Sequence, residues 1–367
     1  MDNMKQPVNN QQSSQIPDLE TNPSQLVDVM PAKKKSKKIL YVVIGLIIFS
    51  LALVGGLFGW YQLQLQPVNG QEIAVEFTVE PGTGAVTISD NLESKELIRS
   101  STAFQFYLKQ RSDSANLRTG TYLLSPSLSA SEIADVLVDG KVAQRLVTIA
   151  PGLHLGKLKD SLVTQGFKEE DIEKALVRKD LLVDVKPPDA SLEGYLFPES
   201  YSLPLNASVD DLVERAADEF AKNLSDELKT SLINRNISVA DAVILASIIQ
   251  GETDNANEQK NVAEVFLNRL EVDMPLGADP TFRYAAYVEG LPESPSIDSP
   301  YNTRINRGLP PGPISNFKIT ALEAVANPGD HDYMFFVTGD DGKFHYSKTL
   351  EEHEEKVDKY CIELCKL

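Results

Sequence analysis

The sequence predicts an α+β protein: a single-pass membrane anchor, a small α+β module, then a mainly helical α+β domain. Three observations lead there. Ile39 to Trp60 carries no charge and is long enough to cross a bilayer, which takes about 20 apolar residues. From about residue 72 to 145, short stretches of β-type alternation trade places with helical periodicity. Beyond residue 238 the pattern is chiefly helical and is broken by Pro/Gly-rich loops.

Residues 1–38 read as a disordered cytoplasmic tail, rich in Asn, Gln, Ser and Pro. The tail ends in the run Lys33 to Lys38 (KKKSKK), which keeps this side in the cytoplasm by the positive-inside rule, and Trp60 and Tyr61 suit the far interface. Residues 39–60 are expected as an uncleaved transmembrane helix. The run exceeds the h-region of about 7–15 residues found in signal peptides, and no small-x-small site follows it. The protein is then expected in the plasma membrane, with everything after residue 61 outside the cytoplasm.

Charge sharpens this division. The chain has a formal charge of −18, yet residues 1–38 carry +2 and residues 39–60 none, which leaves −20 for residues 61–367. With no basic stripe beyond the lysine run, nucleic acid is excluded as a partner. The 4 histidines show no metal-ligand spacing, so neither a metal nor a cofactor is expected. The 2 cysteines cannot build a disulfide scaffold. Cys361 and Cys365 lie one helical turn apart, where their Cβ vectors run side by side, and are expected as free thiols. Glu351, Glu352, Glu354 and Glu355 are expected on a solvated helix face.

Within residues 61–145, Ile73 to Val79 alternates as a strand and Pro81-Gly82 turns the chain. A helix is predicted over Ala85 to Leu97, continuing through Phe104 to Lys109. A short strand is predicted over Thr121 to Leu124. Ser131 to Val138 reads as a helix whose N-terminus is favoured by Ser131, Glu132 and Asp135. The strand and turn FTVEPG (Phe77 to Gly82) recurs 70 residues on as VTIAPG (Val147 to Gly152), an echo that two ordinary strand-turn-helix units would also give. Ser191 to Tyr201 (SLEGYLFPESY) reads as a packed loop.

Residues 238–270 are the most informative for chemistry. Ser238 and Asp241 form an S-x-x-D helix start. Glu252 shares a helix face with Leu245, Ile248 and Ile249, so its carboxyl is expected to follow the apolar stripe. Gly251 removes a side chain and permits a close approach. A carboxyl in such surroundings is expected to have a raised pKa, as a general acid needs. From spacing alone, a helix-end Glu that reaches solvent is the simpler reading. A second helix, Glu258 to Leu270, presents Asn268 and Arg269 near its end. The loops that follow, Met274 to Thr281, Ser299 to Thr303 and Gly308 to Ile314, bear Asp279, Thr281, Tyr301, Asn302 and Thr303, the hydrogen-bonding residue types of a sugar groove.

At these residues the chain resembles the YceG-like (MltG) family of endolytic murein transglycosylases. The family's signature Ala-Ser-Ile-Ile/Val-Glu-x-Glu-Thr stands here as Ala246 to Thr253, with the catalytic Glu at Glu252. Val265 to Leu270, Asp279-Pro280-Thr281, Tyr301-Asn302-Thr303 and Gly308 to Gly312 also match, in order. Four positions depart: Gln250 for the family's first Glu, Arg304 for a Tyr, Phe317-Lys318 for a Pro-Gly, and Phe344 for a His.

The resemblance implies a LysM-like module within residues 61–145 and a catalytic domain over residues 146–367. It implies cleavage of the β-1,4 bond between N-acetylmuramic acid and N-acetylglucosamine to give 1,6-anhydro ends, which would terminate nascent strand elongation. It also implies peptidoglycan glycan strands as substrate and peptidoglycan synthases as neighbours, with Gln250, Asn268, Arg269, Asp279, Thr281, Tyr301, Asn302 and Thr303 around the substrate. Two alternatives stay open: a hydrolytic muramidase with Asp254, Glu258 or Asp279 as partner carboxylate, and a non-catalytic glycan-binding scaffold.

Overall fold

Residues 37–365 are described by a computed structural model of the protein. The tail expected over residues 1–38 therefore lies almost wholly outside the described residues. Contacts divide the chain into two units, Met1–Leu63 and Gln64–Leu367. In the first, helix α1 (Lys37–Gln64) is apolar from Ile39 to Trp60, leaves those side chains exposed, and is long enough to cross a membrane.

The second unit opens with β1 (Val75–Val79), α2 (Ala85–Ser94), α3 (Ser101–Arg111), β2 (Gly120–Leu124) and α4 (Ala130–Asp139). Strands β1 and β2 pair antiparallel, and the helices close over Phe77, Phe104, Tyr122, Ile133 and Leu137. The predicted helix over 85–97 is shorter than expected. It stops at Ser94, Glu96 takes a left-handed φ of 55°, and Ser100 caps a new helix by accepting from the Ala103 N–H. The cap of α4 is Ser129 and not Ser131. Ser129 accepts from the Glu132 N–H while Glu132 reaches back to the Ser129 N–H, so two end donors are satisfied together.

The sequence echo proves to be a structural repeat. β3 (Gln144–Thr148), α5 (Leu155–Thr164), α6 (Glu169–Leu176), β4 (Ser200–Pro204) and α7 (Val209–Asn223) follow in the same order, with β3 and β4 again antiparallel. Phe77 faces Tyr122 across the first pair, and Val147 faces Tyr201 across the second. Each tyrosine donates to the carbonyl four residues before it, Arg118 or Phe197. The helix after each second strand starts with a capping box, Ser129–Glu132 in one and Ser208–Asp211 in the other. Each repeat keeps its own apolar core.

A third core is helical. It comprises α8 (Asp226–Asn234), α9 (Val239–Glu252), α10 (Ala256–Glu271), α11 (Asp279–Glu289) and α12 (Ile319–Ala326). The antiparallel hairpin β5 (Phe335–Thr338) and β6 (Phe344–Ser347) follows, then α13 (Leu350–Tyr360). Ser238 caps α9 by accepting from the Asp241 N–H, as predicted. The expected apolar stripe, however, is not a stripe. Every residue from Ala242 to Gln250 is buried, so α9 is the central rod of the core, and only its two ends emerge.

Cys361 and Cys365 form a disulfide, contrary to the expected free thiols. The helical spacing that argued against it ends at Tyr360. Beyond that residue Asp340 accepts the Ile362, Glu363 and Leu364 N–H groups, which turns the chain and brings the two Cα atoms to 5.4 Å. The four glutamates of α13 are exposed, as predicted.

Candidate active site

The site is built where α9 ends and α11 begins. α11 starts at Asp279, with Pro280 in its first turn. A Cβ on Gly251 would lie 2.6 Å from the Pro280 Cβ, so only glycine lets the two helix ends meet. That contact brings Glu252, the last residue of α9, into one cavity with Asp279. The cavity holds about 550 Å³ and is also lined by Arg269, Arg304, Phe335 and Phe336.

Glu252 is partly exposed to this cavity. Its carboxyl finds no hydrogen-bond or ion-pair partner among the described residues, and its pKa is pushed up to about 7. Burial is the main cause, and the Asp279 carboxylate adds to it. Arg283, Arg304 and Arg269 pull the other way. A carboxylate at a helix C-terminus also meets the negative end of the helix dipole. Asp279 has its charge matched: Arg304 forks onto Oδ1, and Arg283 lies 3.9 Å from Oδ2.

Arg269 fixes the opposite wall. It donates from Nε to the Met334 carbonyl and from Nη1 to the Leu276 carbonyl, both at 2.6 Å, with its guanidinium 5.1 Å from the Phe335 ring. Burial lowers its pKa to about 10.

The other sequence-predicted residues stand behind the cavity. Asn268 donates to the His331 and Tyr333 carbonyls and so holds the approach to β5. Thr281 and Thr303 bond to each other at 2.9 Å, which joins the first turn of α11, bearing Asp279, to the loop that bears Arg304. Asn302 is fully buried, donates to the Pro295 and Ile297 carbonyls, and accepts from the Arg304 N–H. Tyr301 packs edge-on against Tyr284 at 4.9 Å. Gln250 accepts from the Lys318 N–H and donates to Asp254, away from Glu252's cavity. Only Glu252, Asp279 and Arg269 of the predicted set line that cavity.

The sequence profile of the YceG-like family matches residues 77–359. This chain belongs to the YceG-like family. It is 30% identical over 334 residues to the endolytic murein transglycosylase of Bacillus subtilis, covering 84% of this chain and 91% of that one. It is 28% identical over 356 residues to that of Streptococcus pneumoniae D39, covering 86% of this chain and 64% of the pneumococcal one. A 2.6 Å crystal structure of a yceG-like protein from Listeria monocytogenes covers 78% of this chain and 99% of its own, at 32% identity and a TM-score of 0.51.

Within this YceG-like chain, two of the unusual positions answer one another. Lys318 binds Asp254 at 3.0 Å while its backbone binds Gln250, which in turn donates to Asp254. A Glu at 250 would lose that donor and set two carboxylates together. Arg304 likewise has a task, the fork on Asp279. Phe344 packs near Phe336, and neither it nor His345 lines the Glu252 cavity.

Sequence reasoning missed Glu193, which is only 5% exposed. It accepts from the Leu155 N–H and from the Tyr284 hydroxyl, and burial pushes its carboxyl up to about 7. The signal was a lone acid inside the apolar run Leu192 to Leu196.

Proposed function

We propose that the chain is a membrane-anchored endolytic peptidoglycan transglycosylase in which Glu252 serves as both acid and base. The observation that carries this reading is a partner-free carboxyl with its pKa near 7, set in a cavity beside a charge-matched Asp279. The names of its Bacillus and Streptococcus relatives support it. In the proposed reaction, protonated Glu252 gives its proton to the glycosidic oxygen between N-acetylmuramic acid and N-acetylglucosamine as the C1–O bond breaks. The Glu252 carboxylate then takes the proton of the muramic C6 hydroxyl, whose oxygen closes on C1 as a 1,6-anhydro ring. No water enters, so the second free carboxylate of ordinary glycosidases is not required.

On the same reading residues 39–60 anchor the protein in the plasma membrane. A LysM-like module within residues 61–145 reads the glycan, and residues 146–367 cut it. Cleavage beside peptidoglycan synthases would then terminate nascent strands. Of the carboxylates that a hydrolytic muramidase could use, Asp254 is tied to Lys318 and Gln250, and Glu258 accepts from Tyr346. Asp279 alone shares the Glu252 cavity, and two arginines engage it.

The test is to incubate the full chain, purified in detergent, with peptidoglycan and weigh the products by mass spectrometry. Anhydro-ended fragments that vanish in Glu252→Gln are expected. Water-added ends would instead identify a muramidase, and intact glycan that still binds the protein would identify a scaffold.

A further inference from the structure

A second cavity, of about 580 Å³, adjoins the same helix junction. Gly251 and Pro280 line it, whereas their chain neighbours Glu252 and Asp279 line the first. The ends of α9 and α11 thus form a step between two cavities. A strand cut within its length has sugars on both sides of the scissile bond, and so needs a surface on both sides of Glu252.

The second cavity carries an unusual aromatic group. Tyr287 is 51% exposed, yet its ring is held 3.9 Å from that of His154, with Tyr284 at 6.0 Å. Three features fix this arrangement, two at the start of α5 and one from Glu193. A Cβ on Gly156 would lie 2.1 Å from the Tyr287 hydroxyl, so the phenol rests directly on α5 backbone. His154 caps α5 by accepting the Lys157 N–H at Nδ1, which fixes the ring and leaves it neutral. Tyr284 is tied by its hydroxyl to buried Glu193. An exposed aromatic this constrained is pre-organised, and the apolar faces of pyranose rings are natural partners for it.

We infer that Tyr287, with His154 and Tyr284, forms a stacking platform for the sugar units of the glycan strand that extend past Gly251. The inference rests on the transglycosylase reading and adds to it a specificity for strand length. It gives the second repeat a share in the site, because His154 and Gly156 belong to the start of α5.

The experiment uses the full chain in detergent and peptidoglycan glycan oligosaccharides of graded length. Tyr287→Ala is expected to raise KM for long strands about three- to tenfold. The value of kcat, and KM for the shortest strand cleaved, should hold. Gly156→Ala, which pushes the phenol away, should reproduce the change, and Tyr287→Phe, which keeps the ring without adding volume against Gly156, should retain the wild-type long-strand KM. A KM unaffected by Tyr287→Ala, or raised equally at every length, overturns the platform. Binding of the same oligosaccharides to Glu252→Gln protein separates the two ideas. Wild-type protein that cuts nothing sinks the transglycosylase reading, while the platform stands or falls on whether adding Tyr287→Ala weakens long-strand binding.

Discussion

A carboxyl that first gives and then takes a proton works best with a pKa near the operating pH. Glu252 reaches about 7 through burial first and Asp279 second. Because the protonated acid starts the proposed reaction, kcat/KM should fall as pH rises through about 7. Asp279→Asn removes the charge that helps to raise this pKa, so the alkaline limb should move to lower pH. Arg304→Ala removes an opposing charge and should move it to higher pH. Glycan cleavage measured across pH checks both, and a limb unmoved in either variant would assign the profile to another group. Glu193 offers a stability counterpart. Burial lifts its pKa from 4.5 to about 7, so the folded protein resists ionising it. Its contribution is complete below about 4.5 and is lost as pH rises to about 7, a change on the order of 3 kcal/mol. Glu193→Gln keeps the acceptor for Leu155 and Tyr284 but cannot ionise. Denaturant melts should therefore show the variant gaining on the wild type between pH 5 and 8, and a constant difference would sink the assignment.

At the scale of elements, the site depends on how closely α9 and α11 approach. Alanine is the better helix former by roughly 0.5–1 kcal/mol, so in open space Gly251→Ala would stabilise α9. Against Pro280 it should instead destabilise by about 1–3 kcal/mol and lower kcat by shifting Glu252. A raised Tm with activity intact would disprove the close contact. The glycine was legible in the sequence as a point of approach, but its partner lies 29 residues away along the chain. Local pattern likewise showed β1, its turn and the start of α9, because alternation and capping are local. It misplaced the α4 cap by two residues, since Ser129 and Ser131 both precede or open the same turn. It could not show that α9 is buried on every side, or that the second repeat supplies His154 and Glu193 beside Tyr284. Those facts depend on segments brought together only by the three cores. The disulfide was hidden for the same reason: Asp340, remote in sequence, ends the helical spacing that argued against it.

For the whole molecule, the charge division and the anchor make one prediction together. α1 has 28 residues, which at 1.5 Å each is about 42 Å, enough for the hydrocarbon layer and both interfaces. That length explains why the helix extends from Lys37 to Gln64, beyond the uncharged run. On the proposed topology, the lysines at 33–38 hold the N-terminal side in the cytoplasm, and the acidic residues 61–367 face the wall. The protein should remain with membranes through high-salt and alkaline washes and leave them only in detergent. Protease added outside spheroplasts should digest the acidic region and spare an epitope placed at residue 1. Replacing the five lysines of that cluster with glutamine should divide the population between orientations, because the apolar run itself carries no directional signal. Digestion at the N-terminal epitope in the unaltered protein would overturn the topology and would place Glu252 out of reach of the cell wall.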